Sequence, residues 1–523
     1  MTTFKLTYST MFDPPEEMHL RFEAALEDVR KRLGGRHAML IDGDDVVTGR
    51  TVTTSSPVDE RVQLGRFSAG AAPDVDRAVQ AARRAFDGWR HTPVPARVEL
   101  MRRVAALLEE RVYTIGAALA LEVGKNRMES LGEAQETVDF FRGYAEDFER
   151  NNGYDRQLPD DPLVGWASHN RSVLKPHGVW AVIAPFNYPL ALAGGPTAAA
   201  MVTGNTVVLK GASDTPWSGR LLGECIRDAG VPPGVFNYVI GSGSVVGDRL
   251  IHHPDLAGVT FTGSYDVGMG ILRTMASGRW PRPCIVELGG KNPCIVTARG
   301  DLERAATGIV RSAYGLSGQK CSALSRVYVE NDVAEALIER LVARIGALTV
   351  GDPTRREIYM GPVISRKAAA SFDECCRKLQ EGGARILTGG KRLATGDLAH
   401  GHFVAPTLAE APADHPLFQE EMFLPILMLN RVENLDEALA RANAATLGLT
   451  AGCYGSEEEV RTFFDRIEAG VTYVNRPQGA TTGAWPGYQP FGGWKGSGST
   501  GKAIGSFYYL PQYMREQSQT RVE

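Results

Sequence analysis

Short apolar strands and amphipathic helices alternate without interruption between residues 179 and 287, and this alternation constrains the possible folds of the chain more than any other feature. Strand patterns occupy residues 179–184, 206–210, 235–240, 258–262 and 284–287, with helical patterns between them at 190–203, 215–229, 245–252 and 265–276. A β-α repeat of this kind builds a parallel sheet with helices on both faces. Because ligands bind at the carboxyl ends of such strands, this stretch is a candidate nucleotide-binding domain.

A second series of alternating elements follows Gly290. Strand patterns occur at residues 294–296, 326–329, 407–408, 425–429 and 471–475, with helical patterns at 302–314 and 333–345. A single hydrophobic core stops growing near about 250–300 residues. A chain of 523 residues is therefore expected to contain a second α/β domain with its own core.

The part of the chain before residue 176 is mainly helical in pattern. A helix at 16–33 precedes short strands near 38–41 and 46–52, and amphipathic helices follow at 74–89, 98–122 and 125–149. The last of these helices carries Glu129, Glu133 and Glu136 on one side, and the pattern alone favours a solvated acidic face. The turn-forming sequence Pro159-Asp160-Asp161-Pro162 predicts a projecting hairpin at 151–175. Residues 506–520 are predicted to form an extended arm.

Composition excludes several classes of protein. A net charge of −4 without a basic excess argues against nucleic-acid binding, and no apolar run approaches the roughly 18 residues of a membrane-spanning helix. No secretory signal is visible at the start of the sequence, so a cytoplasmic protein is expected. Seven scattered cysteines fit reduced thiols better than disulfides, and because no ligand spacing for a metal occurs, no metal site is expected.

A thiol and a carboxylate each stand in a short segment that contains glycine. Cys321 lies in Gly318-Gln319-Lys320-Cys321, and Glu287 ends the last strand of the first series, directly before Leu288-Gly289-Gly290. Covalent oxidation of an aldehyde needs a nucleophile of the first kind and a base of the second kind that later activates water. A buried structural thiol is the ordinary alternative for a cysteine, and we favour it for the other six.

Asn187 lies in Pro185-Phe186-Asn187-Tyr188-Pro189, just after the first strand of the nucleotide-binding series. An amide held between two aromatic rings and two prolines can donate a hydrogen bond to developing negative charge. An ordinary turn asparagine is the alternative.

Three glycine-rich stretches differ in context. Residues 496–501 satisfy GxGxxG and nearly complete a P-loop, but no strand precedes them and Ala503 replaces the required Ser or Thr, so both matches are rejected. Residues 241–243 and 261–264 instead follow predicted strands and begin helices, where backbone N–H groups can face a pyrophosphate.

Taken together, these motifs resemble the aldehyde dehydrogenase superfamily from about residue 74 to residue 501, and the tail at 483–493 is most similar to the branch that oxidises 1-pyrroline-5-carboxylate (glutamate semialdehyde). The resemblance implies that Cys321 is the nucleophile, that Glu287 activates the hydrolytic water and that Asn187 belongs to the oxyanion hole. It also implies NAD or NADP as cofactor, bound by Ala184, Pro185, Phe186, Lys210, Ser213, Gly243, Gly247, Phe261, Thr262, Gly263, Ser264, Gly268, Leu288, Gly289, Glu421 and Phe423.

Two of these positions depart from the superfamily pattern. Ser213 stands where many NAD-preferring members carry Glu, so repulsion of a 2′-phosphate is removed and NADP remains open. Leu424 stands in place of a glycine beside Glu421 and Phe423, which leaves the local backbone geometry open.

The substrate-binding residues that the resemblance implies are Glu136, Phe140, Lys320, Ser322, Gly483, Ala484 and Phe491. They suit an amino-acid semialdehyde with charges at its far end, above all L-glutamate 5-semialdehyde. Another semialdehyde such as 2-oxoglutarate semialdehyde is the alternative substrate. The loop between 475 and 489 is about three residues longer than the pattern of this branch. An acyl-CoA-forming reductase and a non-catalytic binding protein on the same fold are the alternatives of other kinds.

The fold implied by the resemblance is α/β, with a Rossmann-like parallel-sheet cofactor domain, a second α/β catalytic domain and a small β oligomerisation element. We predict the cofactor domain at 1–150 and 176–289, the catalytic domain at 290–480, and an oligomerisation hairpin and arm at 151–175 and 505–523. Unpaired strand edges on the hairpin and the arm predict a homodimer or a larger homo-oligomer.

Overall fold

The computed structural model describes residues 5–7, 10–477 and 485–523 of the chain. The α-helices are α1 Glu16–Arg30, α2 Ala72–His91, α3 Val94–Glu110, α4 Val112–Val123, α5 Arg127–Arg150, α6 Ala191–Val202, α7 Pro216–Asp228, α8 Asp248–Ile251, α9 Tyr265–Ala276, α10 Leu302–Tyr314, α11 Asn331–Gly346, α12 Arg366–Glu381, α13 Leu435–Asn443 and α14 Glu457–Arg466. The strands are β1 Gly35–His37, β2 Met39–Ile41, β3 Asp44–Val46, β4 Thr51–Ser55, β5 Gln63–Ser68, β6 Asp155–Leu158, β7 Ser168–Pro176, β8 Val179–Ile183, β9 Thr206–Lys210, β10 Phe236–Val239, β11 Leu256–Thr262, β12 Cys284–Glu287, β13 Asn292–Val296, β14 Leu324–Glu330, β15 Arg385–Thr388, β16 Thr407–Glu410, β17 Ile426–Val432, β18 Leu447–Gly448, β19 Thr450–Tyr454, β20 Val471–Val474, β21 Trp494–Lys495 and β22 Met514–Val522.

The first seven-stranded sheet has the order β12-β11-β8-β9-β10-β2-β3, and its first five strands are parallel. The registers align the carboxyl ends of these strands, because Ile183 pairs with Lys210 and Thr262 pairs with Glu287. Residues that follow these ends therefore share one edge of the sheet, where the α/β rule expects a ligand. The parallel α/β sheet predicted from the sequence is confirmed.

The second seven-stranded sheet has the order β15-β16-β17-β14-β13-β19-β20, parallel except for β15. Two hydrophobic clusters lie around it, and a larger one surrounds the first sheet. The chain passes from one sheet to the other within the segment between Glu287 and Asn292, since β12 ends at the first residue and β13 begins at the second. Glu287 consequently lies at the boundary between the two sheets.

A three-stranded antiparallel sheet of order β22-β7-β6 stands apart from both. Strand β22 pairs with β7 from Met514–Pro176 to Val522–Ser168, so the last strand of the chain completes the hairpin formed by β6 and β7. Within the described ranges, no helix is both long and apolar enough to cross a membrane.

Two of the predicted helices were wrong. The pattern at 98–122 forms two helices, α3 and α4, which meet at Arg111 without a glycine or proline to mark the break. Helix α4 is buried on nearly every side, so its direction is decided by packing. The pattern at 245–252 begins instead as a π-helical turn at Gly243–Gly247, which continues into α8.

The acidic side of α5 is also not a solvated face. Glu129 is 2% exposed and Glu133 is fully buried, while Glu136 is partly exposed at a cavity wall. Sequence spacing gives the side of a helix on which residues lie, but not what covers that side. Here α5 is covered by other parts of the protein, and lysine partners make burial of the two carboxylates possible.

Candidate active site

The loop that carries Cys321 is held in a specific backbone conformation. After α10, Leu316, Ser317 and Gly318 take φ values of 48°, 54° and 69°, a conformation that is rare for residues other than glycine. A Cβ at Gly318 would overlap with the carbonyl of Leu424. The Ser317 hydroxyl donates to the carbonyl of Gly361 over 2.7 Å, so the strained turn is anchored by a neighbouring segment.

Asn292, at the start of β13, fixes the backbone of the nucleophile itself. Its Nδ2 donates to the carbonyl oxygens of Cys321 and Ala323, each over 2.8 Å, and its Oδ1 accepts from Thr450 N. A Cβ at Gly290 would overlap with the Cys321 carbonyl, which explains the glycine. Sequence reasoning missed Asn292, although a polar residue at the start of a central strand was an available signal.

Two cavities meet at Cys321. One, of about 70 Å³, lies between α5, the segment after β8 and the loop 485–491. The other, of about 1070 Å³, runs along the carboxyl ends of the first sheet. Cys321 is the residue common to the linings of both cavities among the described parts of the chain.

The Cys321 thiol is a weak acid in this environment. Burial, together with the nearby carboxyls of Glu421 and Glu287, raises its pKa to about 12, although the backbone N–H groups of Ser322 and Cys321 act in the opposite direction. The effect of both carboxyls on the pKa indicates that they lie within electrostatic range of the sulfur.

Glu287 ends β12 and accepts a hydrogen bond from the backbone N–H of Gly493 over 3.2 Å. Burial raises the pKa of this carboxyl to about 8. Among the described residues, it does not belong to the lining of either cavity, unlike Cys321 and Asn187. Glu287 is partly exposed and is followed by Leu288, which does line the larger cavity.

The rejected GxGxxG stretch packs on this boundary. Leu288 N donates to the carbonyl of Ser497, and the Ser497 hydroxyl donates to the carbonyl of Gly289 over 2.6 Å. Glu287 also forms a β-bridge with Gly498. The tail thus holds the segment between the two sheets in place.

Asn187 follows β8 and is 2% exposed, and it lines the larger cavity together with Cys321. The amide and the sulfur therefore line the same cavity.

The larger cavity collects fifteen of the sixteen cofactor candidates: Ala184, Pro185, Phe186, Lys210, Ser213, Gly243, Gly247, Phe261, Thr262, Gly263, Ser264, Leu288, Gly289, Glu421 and Phe423. The remaining one, Gly268, lies underneath, where a Cβ would overlap with Leu288. The cavity follows the strand ends and reaches the start of α9, whose N–H groups suit a pyrophosphate. Size, position and donors fit a dinucleotide.

The outer part of this cavity contains Lys210 and Ser213. Lys210 Nζ donates to the carbonyl of Gly211, and the Ser213 hydroxyl donates to the carbonyl of Gly241 over 3.1 Å. No carboxylate occupies position 213, although Asp214 and Asp248 line the same region.

Near the sulfur, Glu421 Oε1 accepts from Gly290 N over 2.9 Å, and burial raises the pKa of this carboxyl to about 7. A Cβ at Gly289 would overlap with the Glu421 carboxylate. Phe423 takes a φ of 56°, so the strained residue precedes Leu424 rather than being Leu424 itself. Leu424 itself is not among the residues with positive φ, so its backbone does not require a glycine.

The smaller cavity collects the substrate candidates Glu136, Phe140, Lys320, Ser322 and Phe491. Gly483 and Ala484 lie outside the described residues. Tyr188 and Trp485 add aromatic walls that were not among the candidates, and the Trp485 indole N–H donates to Asp139 over 2.7 Å. No group of metal-ligating side chains occurs within the described ranges.

Comparisons with known proteins agree with this geometry. The model of the aldehyde dehydrogenase family matches residues 46–518. A 1-pyrroline-5-carboxylate dehydrogenase from Geobacillus thermodenitrificans is 37% identical over 496 residues, 94% of each chain. A 1-pyrroline-5-carboxylate dehydrogenase 1 from Halalkalibacterium halodurans is 38% identical over 497 residues, 93% of each. A solved 1-pyrroline-5-carboxylate dehydrogenase from Thermus with bound NAD has a TM-score of 0.92 and 33% identity, covering 100% of both chains.

Proposed function

The chain belongs to the aldehyde dehydrogenase family, and we propose that it oxidises L-glutamate 5-semialdehyde, the open form of 1-pyrroline-5-carboxylate, to L-glutamate in proline catabolism. Membership makes it an NAD(P)-dependent oxidoreductase that acts on aldehydes. The observation that carries the proposal is the position of the Cys321 thiol, which lies where a dinucleotide-sized cavity meets a smaller cavity with charged and aromatic walls.

The chemistry begins with Cys321. Once deprotonated, its sulfur adds to the aldehyde carbon, and the carbonyl electron pair moves to oxygen. The Asn187 amide and the backbone N–H of Cys321 donate to that oxyanion. A bound oxidised nicotinamide would supply the hydride acceptor that this oxidation needs, and the product held on Cys321 would be a thioester.

Glu287 acts in the second half of the reaction, the hydrolysis of the thioester. As a carboxylate it takes a proton from a water molecule, whose oxygen attacks the thioester carbon and releases the acid and the Cys321 thiolate. In the structure its Oε2 accepts from Gly493 N, so we propose that it leaves this bond to reach the water. Glu421 and Lys210 would hold the two riboses of the cofactor.

The walls of the smaller cavity support an amino-acid semialdehyde. Glu136 offers a carboxylate for an ammonium group, and Ser322 offers a hydroxyl beside the nucleophile. We assign the N–H groups of Gly483 and Ala484 to the substrate carboxylate. Lys320 also lines the cavity, but its Nζ pairs with Glu129 over 2.5 Å, so its charge is balanced within the protein.

A panel of aldehydes ranked by kcat/KM with NAD and with NADP tests the substrate. We expect L-glutamate 5-semialdehyde to lead and the Glu136→Gln variant to lose that preference. Preference for 2-oxoglutarate semialdehyde, which lacks the amino group, would overturn the assignment. In the same assay Cys321→Ala should abolish oxidation while the dinucleotide still binds, and full activity in that variant would contradict the catalytic assignment.

We further propose that the chain assembles as a homodimer or larger homo-oligomer in the cytoplasm. The residues 151–175 and 505–523 would form the contact, and the remaining domain limits are 1–150 with 176–289 for the cofactor and 290–480 for catalysis. Exposed strand edges on β6 and β22 support assembly. Seven free cysteines support a reducing compartment.

A further inference from the structure

Helix α5 contacts both segments that would bind the oxyanion, namely the segment after Asn187 and the loop that carries Cys321. We propose that Glu129 and Glu133, one helical turn apart on α5, are positioning residues that set the distance between the Asn187 amide and the Cys321 backbone N–H. This inference rests on the proposed function, because it assumes that these two donors share one oxyanion.

Glu133 holds the Asn187 side. Its Oε1 accepts from the backbone N–H groups of Leu190 and Ala191 over 2.8 and 3.1 Å. These are the residues that begin α6, and Pro189 and Tyr188 separate them from Asn187 by a short, stiff link. Its Oε2 accepts from the Lys125 ammonium over 2.5 Å, so both carboxylate oxygens are engaged.

Glu129 holds the Cys321 side. Its Oε2 accepts from Leu316 N over 3.1 Å, at the start of the strained turn, and its Oε1 accepts from the Lys320 ammonium over 2.5 Å. Lys320 immediately precedes Cys321. The carboxylate therefore holds the nucleophile loop at both ends of its sharp bend.

Helix geometry fixes the spacing between the two carboxylates. Residues four apart lie on the same face, about 5.4–6 Å from each other. The start of α5 is capped by Asn126, whose Oδ1 accepts from Glu129 N over 2.9 Å. Further along, a Cβ at Gly194 of α6 would overlap with Thr137, so α5 and α6 are in direct contact and cannot slide past each other.

The ring of Tyr188 joins the two sides. Lys125 Nζ lies 3.4 Å from its centroid, and Lys320 Nζ lies 6.0 Å from it on the nucleophile side. The residue next to Asn187 thus contacts the ammonium that pairs with Glu133 and approaches the one that pairs with Glu129. Displacement of either carboxylate would move the ring between them.

Stability alone does not explain four buried charges. Lys125 and Glu133 are fully buried, and Glu129 and Lys320 are 2% and 9% exposed. Replacing buried ion pairs by apolar groups of similar volume is often neutral or stabilising, so such pairs are weak evidence for stability. A role in holding the Asn187 segment and the Cys321 loop at a fixed distance explains why the two pairs lie where they do.

Glu122 provides a matched control within the same chain. It is also a buried glutamate that caps a helix, because its carboxylate accepts from Trp217 N over 2.6 Å and Ser218 N over 3.0 Å at the start of α7. It belongs to the lining of neither cavity among the described residues. Glu122→Gln therefore repeats the chemical change without touching the site.

The test uses two reactions of the Cys321 sulfur that differ in their need for an oxyanion hole. With 4-nitrophenyl acetate, the sulfur adds to the carbonyl, an oxyanion forms, and 4-nitrophenolate leaves. With iodoacetamide, the sulfur displaces iodide at a saturated carbon and no oxyanion forms. We expect Glu133→Gln to slow acylation and kcat for the aldehyde by about 10- to 100-fold, as a misplaced donor would. Alkylation, aldehyde KM and dinucleotide binding should stay within about twofold.

The variants Glu133→Asp and Glu122→Gln complete the design. Glu133→Asp keeps the charge but shortens the reach, so it should be nearly as slow as Glu133→Gln, whereas Glu122→Gln should acylate at the wild-type rate. Should Glu133→Gln be recovered unfolded, Glu129→Gln carries the test with the same expected loss of acylation. Wild-type acylation in Glu133→Gln, or an equal fall of acylation and alkylation, would overturn the inference.

Two further variants separate this inference from the proposed function. Asn187→Ala should slow acylation, and Cys321→Ala should abolish it. If these behave as expected while Glu133→Gln acylates normally, only the positioning role fails. If Cys321→Ala still oxidises aldehydes, the proposed function itself fails.

Discussion

At the scale of single residues, the two reacting groups are shifted by burial in the same direction. Burial raises the pKa of the Cys321 thiol to about 12 and that of the Glu287 carboxyl to about 8. Each group is therefore mostly protonated at neutral pH and must lose its proton before it acts. Mutual repulsion also opposes the presence of both anions at once, which suits a reaction in which the thiolate attacks first and the carboxylate acts after the thioester has formed.

The raised pKa of Glu287 predicts a pH-dependent hydrolysis step. Below pH about 8 a growing fraction is protonated and cannot accept a proton from water, so thioester hydrolysis should rise about tenfold per pH unit there and level off above it. Single-turnover release of the acid from acylated enzyme, measured between about pH 6 and about pH 9.5, checks this.

Two variants control the hydrolysis experiment. Glu287→Gln should be slow with no rise near this pH. Glu122→Gln should keep the wild-type profile, although burial raises the pKa of Glu122 to about 7 as well. A rise that survives in Glu287→Gln would assign the titration to another group.

Ser213 predicts the choice of cofactor. Its hydroxyl is bonded to the Gly241 carbonyl, and it lies beside Lys210 in the region expected to hold the adenosine ribose. Ser213→Glu would place a negative charge near a 2′-phosphate, so kcat/KM with NADP should fall at least about tenfold while that with NAD stays or improves. The uncharged Ser213→Ala should change the ratio little, and equal losses for both cofactors in Ser213→Glu would contradict the electrostatic explanation.

At the scale of elements, the sequence predicted several strands and helices with the bounds that the structure has, such as β9, α9, β12 and α10. These segments have strong periodicity and clear ends. The break at Arg111 had no such signal, and the burial of Glu129 and Glu133 depends on lysines that approach from the preceding loop and from the nucleophile loop. Partners distant in sequence cannot be read from the period of a helix. The motif around Cys321 was recognised, but Asn292, which holds its carbonyl, was missed although its place at the start of a central strand was a signal.

The contact between α5 and α6 predicts a stability effect. A Cβ at Gly194 would overlap with Thr137 Cγ2, so Gly194→Ala should lower stability by about 1–3 kcal/mol, seen as a lower Tm. Thr137→Ser removes the methyl group that would clash while keeping the hydroxyl that donates to Glu133 O, so the double variant should recover much of the loss. Gly143→Ala on α5 meets nothing within 4 Å and should be neutral or stabilising. A Tm unchanged by Gly194→Ala would show that the two helices separate easily.

At the scale of the whole molecule, the tip of the hairpin carries apolar surface that the rest of the described chain leaves uncovered. Val164 is 97% exposed and Trp166 is 65% exposed. Apolar side chains at the tip of a projecting sheet are typical of a contact surface. Among the described residues, neither side chain belongs to the lining of the two cavities, so we expect assembly and cofactor binding to be separable.

The pair Val164→Asp and Trp166→Glu tests this separation. Charges at the tip should oppose burial against another copy, so sedimentation should report a smaller mass than for the wild type, while Tm and dinucleotide binding change little because no cavity is touched. Val47→Asp changes an apolar residue that is 76% exposed elsewhere on the surface and should leave the mass unaltered. A wild-type chain that sediments only as a monomer would contradict the expected assembly, and an unchanged mass in the double variant would move the contact away from the hairpin tip. If the double variant lost dinucleotide binding as well as assembly, assembly would be shown to shape the cofactor cavity.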